Sequence, residues 1–263
     1  MIHLTSSSNE RIRLAARLAS DGSERKKRGL FVVEGEKLCA EALRAGYEID
    51  TAFVRADLVG LESLAPVITA AYSAFSVDER LCRTMSDAKT PQGVFCVCRA
   101  ADETDNGGIP SGGCLLALDR VQNPDNLAAC VRTAEAMGFS GVIAAGGCDR
   151  YNPKALRASM GSLLRMPVTA AADLASELEK LSNTGFTVYV SVVDGKAERI
   201  DGLEKKRPCV VVIGNEGAGV SDEVRSAADV LFTIPMPGVT ESLNAAAAAA
   251  IIMWEFSKAA PHN

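Results

Sequence analysis

Residues 210–221 read VVVIGNEGAGVS. Three valines and an isoleucine run without a break into Gly214, and Gly217 and Gly219 follow at once. An unbroken apolar run suits a strand covered on both faces, the condition of a parallel sheet flanked by helices. Glycines directly after such a strand admit positive φ and let backbone approach a ligand closely. The spacing G-x-x-G-x-G reverses the dinucleotide fingerprint, and no phosphate-loop lysine follows. Glu216 inside the loop would repel an anion, so the turn favours a cationic or hydroxyl-rich ligand. A plain glycine turn with a solvated acid is the alternative reading.

Downstream, residues 232–250 read FTIPMPGVTESLNAAAAAA. Pro235 and Pro237 hold the chain extended after a strand. Glu241, Ser242 and Asn244 then open a last helix, expected over residues 242–258. Exposed backbone groups in such a loop can read an adenine edge, and Ser242 and Asn244 can bond a ligand at the helix start. Simple capping by Ser242 would account for the serine equally well.

Upstream, residues 119–138 read DRVQNPDNLAACVRTAEAMG. A strand enters a polar turn, and Asn123 or Asp125 is positioned to cap the helix that follows. Arg132 stands in an otherwise apolar stretch of that helix. It calls for an anion or an acidic partner, for which Glu135 is the nearest candidate. All three segments follow strands, where open α/β sheets bind their ligands.

From residue 114 onward, apolar runs alternate regularly with helical stretches, which predicts a mostly parallel sheet in an α/β fold. The stretch ADETDNGGIPSGG, residues 101–113, has no apolar period and marks a boundary. The division is therefore residues 1–105, a linker over 106–113, and residues 114–263. The first part reads as a small α/β unit, with an amphipathic helix over 9–19 and a strand in GLFVVEG.

Composition narrows the function. With His3 and His262 as the chain's two histidines, catalysis centred on histidine is nearly excluded. Aromatic residues make up 5%, too few for a large base-stacking platform. None of the eight cysteines forms a C-x-x-C pair and most sit in apolar runs, so they read as reduced core residues of a cytosolic protein with no metal. No apolar run is long enough for a membrane span, and no signal peptide opens the chain. The net charge is -5, yet residues 1–28 carry seven Lys/Arg against three acids. Arg25, Lys26, Lys27 and Arg28 are its densest run, a candidate RNA-phosphate patch or else a charged, solvated loop.

Taken together, NPDNLAACVRTA, IGNEGAGVS and IPMPGVTESLNAAAAAA resemble the three motifs of the SpoU (TrmH-like) branch of the SPOUT RNA ribose 2′-O-methyltransferases, in order and on matching elements. NPKALRASMGSLLRMPV resembles the segment that links them. Alanine stands at position 128, where the first motif usually has glycine. FVVEGEKLCAEAL and TPQGVFCVC resemble the L30e-like RNA-binding domain that precedes the catalytic domain in ribosomal-RNA members.

The resemblance implies a C-terminal trefoil knot, a homodimer with a shared active site, S-adenosyl-L-methionine as cofactor, and methyl transfer to a ribose 2′-hydroxyl, most readily in 23S-type ribosomal RNA. The cofactor would lie against Gly214, Asn215, Glu216, Gly217, Gly219, Ile234, Pro235, Met236, Pro237 and Leu243. The expected catalytic residue is Arg132, as general base or as phosphate clamp, with Asn126, Glu216, Ser242 and Asn244 orienting the ribose and the arginine. A tRNA methyltransferase and a catalytically silent RNA-binding protein of the same fold are the alternatives. A nucleotide-dependent oxidoreductase lacks its fingerprint here.

Overall fold

Cys114–Asp119 is buried at every position, as its unbroken apolar sequence requires, and this strand (β6) lies near the middle of a seven-stranded sheet. A computed structural model of the chain describes residues 1–101 and 112–258. Most of the expected linker at 106–113, and His262, lie outside them. The chain divides into two units. One holds Met1–Asp102 and Asp149–Arg165; the other holds Glu103–Cys148 and Met166–Asn263.

The first unit is built on five strands: β1 (Ile2–Leu4), β2 (Leu30–Glu34), β3 (Ile49–Arg55), β4 (Ser73–Val77) and β5 (Val94–Arg99). Their order is β1-β4-β3-β5-β2, with β5 antiparallel to both neighbours. Helix α1 (Glu10–Ser20) is capped by Asn9 and buries Ile12, Ala15 and Leu18, which pack with Val32, Phe53, Phe95 and Val97 of the sheet. Each of the Ile, Leu, Val and Phe side chains taken from water contributes roughly 1.5–3 kcal/mol.

Residues 22–28, which read as a charged loop, form a short helix, α2 (Gly22–Arg28). Asp21 caps it through the N–H groups of Ser23 and Glu24, and Gly29, at φ 61°, closes it. Four basic residues in its last turn suit the helix dipole, a gain that apolar periodicity does not register. The unit's other helices are α3 (Glu36–Arg44), α4 (Ala65–Ala70) and α5 (Glu79–Met85).

After α6 (Pro124–Ala136), the chain supplies α7 (Pro153–Ala158) and α8 (Ser162–Arg165) to this same unit. They are fixed there by polar and aromatic contacts. Tyr151 stacks on Phe31 at 4.2 Å between ring centroids, Arg157 grips Asp87 with two bonds of 2.7 and 2.8 Å, and Arg165 reaches Glu41 at 3.1 Å. The sequence division had assigned this stretch to residues 114–263.

The second unit carries seven strands: β6, β7 (Gly141–Ala145), β8 (Val168–Ala171), β9 (Thr187–Ser191), β10 (Glu198–Arg199), β11 (Cys209–Ile213) and β12 (Val230–Thr233). Every pairing is parallel, in the order β10-β12-β9-β11-β6-β7-β8. Leu115, Ala117, Val188, Val190, Val210 and Val212 share one core with Leu174 and Leu178 of α9 (Leu174–Asn183). Two further helices are α10 (Asp222–Ser226), capped by Ser221, and α11 (Ala245–Ser257), which packs against α6. The last helix starts three residues later than expected, and its cap is Asn244 rather than Ser242. Among the described residues no helix is long and apolar enough to cross a membrane.

Candidate active site

Strands β6 and β11 are neighbours, and their carboxyl ends release two of the three loops singled out in the sequence. Beyond β6 the sheet continues through β7 and β8; beyond β11 it continues through β9, β12 and β10. The chain order thus diverges between β6 and β11, and such a switch point opens a crevice at the strand ends.

Glu216 ties the two loops together. Its carboxylate accepts from the backbone N–H of Asn123 at 3.1 Å and of Gln122 at 3.3 Å, and from Nδ2 of Asn126 at 2.9 Å. Burial works against ionisation of this carboxyl, but the bonds from Asn126 and the backbone outweigh it and hold Glu216 below the ordinary glutamate value. Its acceptor sites are thus largely used in joining loops.

Asn126 is 6% exposed on the first turn of α6. Its amide donates to Glu216, and its Oδ1 accepts from Nδ2 of Asn244 at 3.1 Å. Asn244 in turn accepts from the N–H groups of Ala246 and Ala247, capping α11. A single chain of hydrogen bonds therefore runs from the glycine loop through α6 to the start of α11.

The glycine loop is closed on itself. Asn215 and Gly219 exchange backbone hydrogen bonds of 2.9 and 3.0 Å, and Asn215 Oδ1 accepts from Gly217 and Ala218. A Cβ at Gly214 would lie 2.3 Å from the Gly219 carbonyl carbon, so this glycine is required by packing. Gly238 faces open space instead, and a Cβ at Gly217 would make ordinary contact with Asn215 Oδ1 at 3.8 Å. Among the described residues, the backbone N–H groups of residues 234–243 make no hydrogen bond. Ile234, Pro235 and Met236 are half-buried, Pro237 is exposed, and Leu243 is 37% exposed. An accessible strip of donors, unpaired among the described residues and containing the open Gly238, fits a nucleoside-like ligand whose edges need hydrogen bonds.

Arg132 is exposed on α6, two turns beyond Asn126, and makes no hydrogen bond or ion pair among the described residues. Its expected partner Glu135 does not hold it. Ser242 is likewise exposed and unbonded among them. Of the five residues expected to do the chemistry, the fold joins Asn126, Glu216 and Asn244 directly and leaves Arg132 and Ser242 facing outward.

Asp119 and Arg120 were not singled out. Asp119 is 3% exposed at the end of β6 and accepts the N–H of Ser221 at 2.7 Å. A carboxylate ending the apolar run CLLALD was the signal available in the sequence.

In the first unit, Arg25 is 6% exposed and turned inward. It bonds Asp149 at 2.6 Å and the Leu18 carbonyl at 2.6 Å. This corrects its expected role, because a guanidinium spent on an internal carboxylate and carbonyl is not offered to phosphate. Lys26, Lys27 and Arg28 are exposed, with Arg28 paired to Glu24. Seven of the eight cysteines are buried, and among the described residues no group of three His, Cys, Asp or Glu side chains could hold a metal ion.

Residues 113–254 match the model of the SpoU rRNA Methylase family. The chain belongs to the SpoU rRNA methylase family. Residues 9–96 of this SpoU member match an MRM3-like substrate binding domain. The chain is 30% identical over 256 residues to the 23S rRNA (guanosine(2553)-2′-O)-methyltransferase RlmP of Bacillus subtilis, covering 97% of this chain and 98% of that one. Among solved structures, the SpoU methyltransferase AviRb from Streptomyces viridochromogenes in complex with AdoMet superposes with a TM-score of 0.85 at 25% identity, covering 95% of this chain and 97% of that one. An AdoMet-bound rRNA methyltransferase from Sinorhizobium meliloti gives 0.85 at 28% identity, covering 97% of each. The SpoU family's sheet is the one described above.

Proposed function

We propose that this SpoU member transfers a methyl group from S-adenosyl-L-methionine to a ribose 2′-hydroxyl of 23S-type ribosomal RNA, in the cytoplasm. The observation that carries the proposal is the hydrogen-bond chain Glu216–Asn126–Asn244, which links the three family motifs at the carboxyl ends of the central strands. Ribosomal RNA is favoured over tRNA by the substrate-binding match over residues 9–96 and by the whole-length likeness to RlmP.

The residues fit the cofactor. Open space at Gly238 and the backbone donors of 234–243, unpaired among the described residues, suit an adenosine edge. When bound, the cofactor supplies a methyl carbon on a positively charged sulfur. The chain's part is alignment, which in favourable cases contributes roughly 7–11 kcal/mol to a bimolecular reaction. Asn126, Glu216 and Asn244 hold the loops still. Arg132, without a partner among the described residues, clamps the phosphate beside the target ribose in two-pronged fashion, since guanidinium groups generally remain charged and match phosphate geometry. Ser242 orients the ribose.

The enzyme works as a homodimer. Ala247, Ile251 and Trp254 recur at helical spacing on the outer face of α11; Ile251 is 41% and Trp254 54% exposed. An apolar stripe on a helix that packs against α6, the helix bearing Arg132, suits a second copy, which would complete the site. The trefoil knot of the SPOUT fold belongs to the same reading, as does RNA contact through Lys26, Lys27 and Arg28.

The test is transfer of labelled methyl from S-adenosyl-L-methionine to unmodified ribosomal RNA and to bulk tRNA in parallel. The modified position should resist alkaline cleavage. Protected label in ribosomal RNA is the expected result; label in tRNA alone would overturn the substrate class, and no label with no cofactor binding would overturn the reading.

A further inference from the structure

Among the described residues Arg120 is one of two non-glycine residues with positive φ, at 57°, and it stands at the carboxyl end of β6 beside the glycine loop. Such a conformation persists in an arginine when surrounding contacts over-determine it. Those contacts come from two sides. Towards β7, the Arg120 N–H donates to Ala145, and Val121 accepts from Cys148. Gly147, at φ 84°, permits this approach, because a Cβ there would lie 2.3 Å from the Val121 oxygen. Towards β11, the Arg120 carbonyl accepts from Asn215 Nδ2 at 2.8 Å. Asp119 accepts the Ser221 N–H at 2.7 Å and pairs with the Arg120 side chain at 3.0 Å.

Asn215 and Ser221 flank the glycine loop, and each is held by one residue of this corner. We infer that Asp119 and Arg120 are positioning residues that pre-form the loop 214–221 for its ligand. The inference rests on the reading that this loop holds the cofactor. The left-handed turn at Arg120 points a main-chain acceptor at Asn215, while the buried carboxylate beside it fixes the far end. Neither residue needs to touch the cofactor. They lower the ordering cost of binding, which is where preorganisation acts.

The test is calorimetric titration of S-adenosyl-L-methionine and of S-adenosylhomocysteine into the intact protein, with kcat measured at saturating cofactor and thermal unfolding in parallel. Asp119→Ala should weaken cofactor binding about tenfold or more, the scale of a lost charged hydrogen bond, while kcat at saturation stays near the native value. Asp119→Asn, which keeps an acceptor for the Ser221 N–H, should recover most of the affinity. Should Asp119→Ala fail to fold, Arg120→Gly decides. It relieves the positive φ, so stability should not fall, but it frees the corner and affinity should drop. Native affinity in every folded corner variant, with Gly214→Ala unable to bind, overturns the inference and leaves the cofactor site intact. Native affinity in Gly214→Ala as well overturns both.

Discussion

The side-chain oxygen of Asn126 accepts a hydrogen bond from Nδ2 of Asn244 at 3.1 Å, although 118 residues separate them. Asn244 spends its own oxygen on the first N–H groups of α11. One asparagine thus both caps a helix and anchors it to another. Asn244→Asp should keep the cap and the fold, since aspartate caps as well as asparagine. It presents no donor to Asn126, however, and turnover should fall about tenfold or more. Equal turnover in this variant and the native enzyme would show that the link is not used in catalysis.

Asn126→Ala goes further. It removes the shorter of the two side-chain bonds to Glu216, leaving the one from Asn215 Nδ2 at 3.4 Å, and takes the acceptor from Asn244. A destabilisation of roughly 1–3 kcal/mol is expected by urea unfolding, with weaker cofactor binding. Loss of stability with unchanged affinity would assign Asn126 to scaffolding alone.

Arg132 supports no part of the described fold, so its removal should leave stability within about 0.5 kcal/mol. Arg132→Ala should abolish turnover with cofactor affinity largely intact. Arg132→Lys should rescue poorly, because an ammonium cannot reproduce the two-pronged grip on phosphate. A near-normal rate in either variant would remove Arg132 from the mechanism.

Glu216 is held below its ordinary pKa in the folded chain. Its contribution is therefore present above the unfolded glutamate value and is lost as pH falls through the folded value. Cofactor affinity should decline on acidification through that range, and Glu216→Gln should lose this dependence. An acid limb that persists unchanged in Glu216→Gln would trace it to another group.

Two glycines give a paired contrast. Gly214→Ala forces a methyl against the backbone of Gly219 and Val220, at 2.3 and 2.4 Å, and should cost about 1–3 kcal/mol. Gly238→Ala meets nothing within 4 Å, so stability should be unchanged while cofactor affinity falls, the methyl taking space meant for the ligand. Full affinity in Gly238→Ala would exclude the 234–243 strip as a cofactor wall.

If the proposed homodimer forms through the outer face of α11, Trp254→Glu should give monomers where the native chain gives dimers by light scattering, and reduce methyl transfer, since a charge on an apolar interface core is strongly disfavoured. A dimer that survives would place the interface elsewhere.

By itself the sequence determined the parallel sheet, because unbroken apolar runs such as VVVIG are stable only where helices cover both faces. It also determined the motif residues Asn126, Glu216 and Asn244 and their position after strands. Short elements escaped it: α2 is stabilised by its cap and dipole, and β8 (VTAA) carries too few apolar residues to announce a strand. Only the tertiary structure decided the partners. That Arg25 turns inward to Asp149, that Asn244 reaches back to Asn126, and that Asp119 fixes the far end of the glycine loop all depend on long-range hydrogen bonds. Periodicity and composition report which groups must be buried or paired; the fold alone brings distant groups within bonding distance.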